Sequence, residues 1–311
     1  MIISIAFTAV LVLLLTAVPG YILMRRKMVS ESCIPGLSKV MLYFCQPCLA
    51  IYTFKSAEFS PEKLVDIGIF ALLSLVINAI MLIAAFLVLR RKQKEATYRI
   101  ITVATTLANC AFFGIPIIEA IMGDAAEGLI VYTTVYAVMM NVICWTVGSA
   151  IIAHDVKYIS PKKIFLNPAM IGGVIAFVIF VFGIPIQEDM LSMITISGKM
   201  CSPLSMIIMG MRLATIDMKS MFTSVKMYLT ILIKQIVMPL VAFALVYFLP
   251  VSPDIKVAFY IICACPAASV VLNFSEMLGE GQRDAANLVL LGTMLSILTL
   301  PVMMLLLPLL Q

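Results

Sequence analysis

Asn109-Cys110-Ala111-Phe112-Phe113-Gly114-Ile115-Pro116 stands in the middle of one long apolar run, and Cys265-Pro266-Ala267-Ala268-Ser269 stands in the middle of another. Each run is about as long as a bilayer is thick, yet each carries helix-breaking residues at its centre. A helix interrupted in lipid strands amide and carbonyl groups at several kcal/mol each, so breaks survive only where protein or a wet cavity meets them. A central cavity is therefore implied. The two runs also share a downstream mark: Gly123-Asp124 begins 14 residues after Asn109, and Gly279-Glu280 begins 14 after Cys265.

The rest of the chain fits that setting. It has 311 residues, 63% hydrophobic and 12% charged, against roughly 45–50% and 25% in ordinary soluble domains. Apolar runs fall at about 2–24, 36–54, 65–89, 101–122, 128–152, 165–183, 191–211, 228–249, 256–278 and 285–310, each near the roughly 20 residues a spanning helix needs. Continuous runs such as Leu72 to Leu89 show no strand alternation, which excludes a β-barrel. The expectation is an all-α membrane protein of ten transmembrane helices, with no room for a large soluble catalytic domain.

Lys and Arg set the orientation. With the first end outside, the inner loops receive Arg25, Arg26 and Lys27; Arg90, Arg91, Lys92, Lys94 and Arg99; Lys157, Lys162 and Lys163; then Arg212, Lys219, Lys226 and Arg283. The outer loops receive Lys55, Lys63 and Lys256. A multi-pass protein of the cell membrane with both termini outside follows. The net charge of +5 is spread between apolar runs, which argues against a nucleic-acid partner. The N-terminal run has no basic residues before it, unlike a cleaved signal peptide.

The longest polar connection divides the chain into a first five-helix repeat, 1–153, a cytoplasmic linker, 154–164, and a second repeat, 165–311. Five is odd, so the second set is threaded upside down. Inverted repeats with broken helices near the midplane are a plan of secondary transporters. Pro47 in the second span and Pro203 in the seventh occupy matching places, as breaks or as plain kinks. Half-helix N-termini offer partial positive charge and free N–H groups, which suit a carboxylate.

Several residues inside spans need an explanation. Lys39 and Lys234 sit within about two turns of cytoplasmic ends and are expected to snorkel. Lys199 lies mid-span, one turn before Pro203; it is either a positive charge facing an anion or a structural partner for a carboxylate or freed carbonyl. Glu119 and Glu276 are near-symmetric carboxylates, either reaching interfacial water or acting as gating or coupling groups. Asn109, Ser269, Asn273 and Gln46 can bind substrate or satisfy freed backbone. The eight cysteines, including Cys45-Gln46-Pro47-Cys48, sit in apolar or cytoplasmic settings and are expected to be free thiols. No phosphate-binding loop, metal cluster or nucleophile set is present, so neither a cofactor nor catalysis is expected.

Together Asn109 to Ile117 with Gly123-Asp124, Asn167-Pro168, Ser202-Pro203-Leu204 with Gly210, and Cys265-Pro266 resemble the landmarks of the auxin efflux carrier family. The resemblance covers nearly the whole chain. It implies crossed broken helices like those of bile-acid symporters and sodium/proton antiporters, and elevator-type movement against a scaffold of spans 1, 2, 6 and 7. It also implies that Asn109, the backbone around Gly114 and Pro116, and Pro266 with Ala267 and its neighbours line a carboxylate site. Related folds dimerise, so a homodimer is expected. Plant members carry Pro where this chain has Ala108, which predicts a milder first break. The short central loop is closer to prokaryotic relatives, for which malate- or malonate-like substrates have been proposed. The function expected is efflux of a small organic carboxylate anion. A proton- or sodium-coupled symporter of the same fold is the first alternative, and a channel or non-transporting receptor the second.

Overall fold

A computed structural model describes residues 1–158 and 166–311, with side chains throughout except at 218–220, 274 and 276–278. Lys162 and Lys163 of the linker, and the side chain of Glu276, lie outside the described residues. The long helices are α1 (Ile2–Arg25), α2 (Cys33–Lys55), α3 (Pro61–Lys92), α6 (Val131–Ala153), α8 (Glu188–Thr215), α9 (Val225–Tyr247) and α12 (Gln282–Leu309). Among the described residues these seven are long and apolar enough to cross a membrane, and α7 (Pro168–Val181) is a shorter apolar helix. The two runs with central breaks form pairs of short helices instead: α4 (Ala96–Ala104) with α5 (Ile115–Met122), and α10 (Pro253–Ala264) with α11 (Val270–Leu278).

Local chemistry sets several starts. Ser60 caps α3 by accepting from the Lys63 N–H at 3.0 Å, with Pro61 in the first turn. Asn167 caps α7 by accepting from the Ala169 N–H at 2.8 Å, again ahead of a proline. A capping side chain satisfies a donor that the first turn leaves free, and proline there loses nothing. The outer surface is apolar: Leu15, Leu72, Ile83, Val88 and Phe248 are all exposed. Such a surface suits lipid and not water.

Pro47 and Pro203 do not break their helices. Pro47 follows a wide π-helical turn over Met41–Cys45 inside the continuous α2, and Pro203 lies just after a one-residue turn at Met200 in α8. Helices tolerate proline in this way when a widened turn absorbs the lost hydrogen bond.

Four helices meet backbone to backbone. A Cβ on Gly210 of α8 would stand 1.8 Å from the Ala17 carbonyl oxygen of α1, and one on Gly20 of α1 would stand 2.0 Å from the Ile207 carbonyl oxygen. Gly172 of α7 and Gly198 of α8 are pressed in the same way against Pro47 and Leu49 of α2. In lipid, where apolar burial does not drive helices together, such small-residue contacts hold them by close packing. All eight cysteines are free.

Gly210→Val is therefore expected to destabilise by about 2 kcal/mol or more, since neither helix can yield without moving backbone. Gly68→Ala, whose Cβ meets open space, serves as the neutral control. Thermal unfolding of the two purified variants in one detergent checks the contrast.

Candidate functional site

The site is built on the two breaks. After α4 the helix closes with Thr105 N–H donating to Ile101 and Thr106 N–H to Val103; Leu107 and Ala108 leave the helix, and a tight turn at Asn109, closed by Cys110 N–H on the Ala108 carbonyl at 2.8 Å, leads into a wide π-helical turn at Cys110–Gly114. After α10, residues 265–268 run extended before Ser269 starts α11. The two extended pieces pair antiparallel at Ala108 and Ala267. Asn109 N–H donates to the Pro266 carbonyl at 2.8 Å, and Ala268 N–H donates to the Leu107 carbonyl at 3.0 Å. The first break is as fully unwound as the second. The milder break expected from Ala108 is thus corrected: hydrogen bonding across the crossing, not proline, holds the first segment open.

Lys234 completes the crossing and corrects another expectation. It does not snorkel. Its side chain is buried, 1% exposed, and Nζ donates to the carbonyls of Cys263 at 3.0 Å and Cys265 at 2.8 Å. Those groups lie at the C-terminal end of α10, where carbonyls lack helical partners and a cation is favoured.

On one side of the crossing lies a cavity of about 260 Å³. Gln46, Asn109, Ser269 and Asn273 line it together, as do Ala108 and Cys110. Asn141 and Asn167, joined by an Asn167 Nδ2 to Asn141 Oδ1 hydrogen bond of 3.0 Å, form its far polar wall, with Trp145 and Tyr43 as aromatic lining. No lining residue is charged. Asn109 is 3% exposed, and its Nδ2 is buried with no hydrogen-bond partner. Buried donors are rarely left unpaired without a reason. The turns that start at Cys110 and Val270 both line the cavity, with Cys110 N–H held by the Ala108 carbonyl at 2.8 Å and Val271 N–H by the Ala268 carbonyl at 3.2 Å.

A second cavity of about 240 Å³ lies on the other side of Ala111, which lines both. It takes Lys199, Pro203, Glu119 and Pro116, so the structure does not bring these to Asn109. Tyr52 links them: its hydroxyl donates to Glu119 Oε1 at 3.4 Å, and Lys199 Nζ sits 5.0 Å from its ring centroid. Lys199 is thus a partner for an aromatic face rather than for a freed carbonyl. Pro47 lies against Gly172, and Gly114 lies in the π-helical turn beside the Cys265 thiol. Ser202 Oγ donates to the Phe112 carbonyl at 2.6 Å, tying α8 to the broken segment.

Residues 5–304 match the model of the family described as membrane transport protein. The chain belongs to that family. This is the family whose landmarks the sequence carries, and it is one of transporters rather than enzymes. No curated protein matches the sequence. Among the described residues no group of His, Cys, Asp or Glu could hold a metal ion in the transporter.

Sequence reading missed four residues of this architecture. Asn141, Trp145 and Lys234 are polar groups inside spans, and that alone was their signal. Arg99 was counted as a loop base, but in the transporter it is buried, 6% exposed, on α4. It donates to the carbonyls of Ile152 (2.9 Å), Gln93 (3.2 Å) and Lys94 (3.0 Å), and to Glu280 at 2.7 Å. Thr97 donates to Asp284 beside it. These bonds fasten the start of one broken run to the end of the other. Arg99→Met is expected to cost about 2–3 kcal/mol, the scale of charge-assisted hydrogen bonds. Arg99→Lys recovers only part of this, because a point ammonium cannot span four acceptors. The order wild type, Lys, Met in melting temperature is the readout.

Proposed function

We propose that the protein is a secondary carrier of small organic carboxylate anions. The observation that carries this reading is the unpartnered Nδ2 of Asn109, buried at the point where two interrupted helices begin. A carboxylate there would accept from Asn109 Nδ2, with the side chains of Ser269 and Asn273 as further donors and the starts of the two short helices adding positive potential. A carboxylate accepts hydrogen bonds and donates none, so it suits a cluster of donors whose chain ends are electropositive.

The reading takes the chain as ten spans in two inverted five-helix repeats, 1–153 and 165–311, with which the seven long helices, α7 and the two broken runs agree in number. In the orientation given by the basic loops, the Asn109 cavity faces the cytoplasm and the Lys199 cavity faces outside. Alternating access then carries the crossing from one side to the other, with α1, α2, α7 and α8 as the fixed scaffold and Tyr52–Glu119 as a contact remade in each cycle. The membrane potential suffices to drive efflux, since a monoanion leaving a negative interior gains about 2.3 kcal/mol per 100 mV.

Counterflow of radiolabelled mono- and dicarboxylates in proteoliposomes tests the proposal. Saturable exchange is expected for at least one of them, whereas a channel gives none. Asn109→Ala is expected to lower apparent affinity about tenfold or more, from the lost hydrogen bond, and Asn109→Asp to abolish binding by charge repulsion. A folded Asn109→Ala protein that exchanges like wild type would remove Asn109 from the site.

A further inference from the structure

We propose that the groove between α3 and α6 binds one anionic phospholipid with a hydroxylated headgroup, of the phosphatidylglycerol kind, and that this lipid braces the base of the first broken run. The site stands on the geometry of a membrane-embedded surface and does not depend on the carrier reading.

The groove holds about 600 Å³. Leu82, Phe86 and Arg90 follow one another four residues apart along α3, and Val147, Ile151 and His154 line the groove from α6 and its end. Side chains three or four apart share one face of a helix, so two apolar stripes run side by side and both end in a polar residue. From Leu82 to Arg90 the rise is about 12 Å, most of the roughly 15 Å of hydrocarbon in one leaflet. One acyl chain fits that stretch, with its phosphate at Arg90 and His154.

The polar end offers charge and an unsatisfied acceptor. Arg90 is followed by Arg91, Lys92 and Lys94, all exposed, and in the orientation that the basic loops give this end is cytoplasmic, where such clusters favour anionic lipid. Asp155, the carboxylate that lines the groove, already accepts from Lys157 N–H at 2.9 Å. Gln93 lines the same end and is 6% exposed. The Thr102 hydroxyl donates to the Tyr98 carbonyl at 2.8 Å, so it can only accept from Gln93, whose Nε2 donates to it at 2.7 Å. That fixes the amide, and its Oε1 is buried with no hydrogen-bond partner. Such an oxygen calls for a donor, which a phosphodiester or a choline lacks and a glycerol hydroxyl supplies. Arg99 holds the same turn through the carbonyls of Gln93 and Ile152. A headgroup on Gln93 thus bears on Thr102 and Arg99, both in α4, the start of the first broken run.

The test is thermal unfolding of delipidated protein in one detergent, with equal amounts of dioleoyl phosphatidylglycerol, phosphatidylmethanol or phosphatidylcholine, or of glycerol phosphate alone. Phosphatidylglycerol is expected to raise the melting temperature by about 4 °C or more over phosphatidylcholine, since a ligand of the folded state stabilises it. Phosphatidylmethanol, which has the charge but no headgroup hydroxyl, is expected to give less than half of that shift, and glycerol phosphate none. Arg90→Ala, at an exposed position, and Ala150→Phe, which fills the groove, are each expected to lose at least half of the shift. Arg26→Ala, at the end of α1 and outside the groove, is expected to keep it. The proposal is overturned if phosphatidylglycerol does no better than phosphatidylcholine, if phosphatidylmethanol matches it, if glycerol phosphate reproduces it, or if Arg26→Ala loses as much as Arg90→Ala. Should Ala150→Phe yield no folded protein, Arg90→Ala decides: a full shift there overturns the proposal. The melting data need no substrate, so a lipid pattern as expected with no carboxylate exchange would sink the carrier reading and leave this one standing.

Discussion

A backbone that stops being helical inside an apolar interior strands donors and acceptors that water cannot reach, and the chain answers this with itself. Each extended piece at the crossing gives one N–H and takes one: Asn109 to Pro266, Ala268 to Leu107. Neither break is tenable without the other. The paired positions are alanines, Ala108 and Ala267, both fully buried, and their small side chains let two backbones approach to hydrogen-bonding distance. What remains unmatched is met by side chains from elsewhere: Lys234 at the end of α10, and Ser202 at the Phe112 carbonyl. The cavity, its donors and the proposed movement all depend on this exchange.

Two kinds of packing coexist around it. Between α1 and α8 the contact is backbone against backbone, through glycines that admit no Cβ, and such an interface has one geometry. Between this group and the broken segment, the polar links run through side-chain ends, Tyr52 to Glu119 and Ser202 to Phe112. Rotating a few side chains breaks the second kind, whereas the first yields only if whole helices separate. A rigid frame beside a unit held by renewable contacts is what alternating access requires.

The sequence made the breaks legible because they violate a rule: proline, asparagine and glycine in the middle of apolar runs contradict an unbroken helix. Asn109, Ser269, Asn273 and Gln46 were found that way, and they share one cavity. Depth along a span was read less well. Lys234 and Arg99 looked interfacial when counted from the ends of their runs, but depth along the axis says nothing about which way a side chain faces. Lys234 turns inward because unpartnered carbonyls wait there, and Arg99 because three chain segments end around it. Those acceptors come from distant parts of the chain, so no local pattern announces them. Lys199, for which the sequence leaves both a charge facing an anion and a structural partner open, lines the second cavity instead, across Ala111 from Asn109.

The selectivity of the cavity follows from what lies behind its walls. Its lining side chains are all neutral, so the sign of the preferred ligand is set by the helix ends. Two short helices point their starts at it, each worth about half a positive elementary charge. Two others end at the crossing with comparable negative charge, which would cancel the field if left alone. At α4 the Thr105 and Thr106 hydroxyls donate into the last turn, to the Thr102 carbonyl, and bring no charge. At α10 a full ammonium, that of Lys234, outweighs the helix end it caps. The sum is positive. A lysine that is absent from the cavity lining thus adds positive potential to the carboxylate site proposed above, and its burial preserves that contribution, since within low-dielectric surroundings its field is weakly screened.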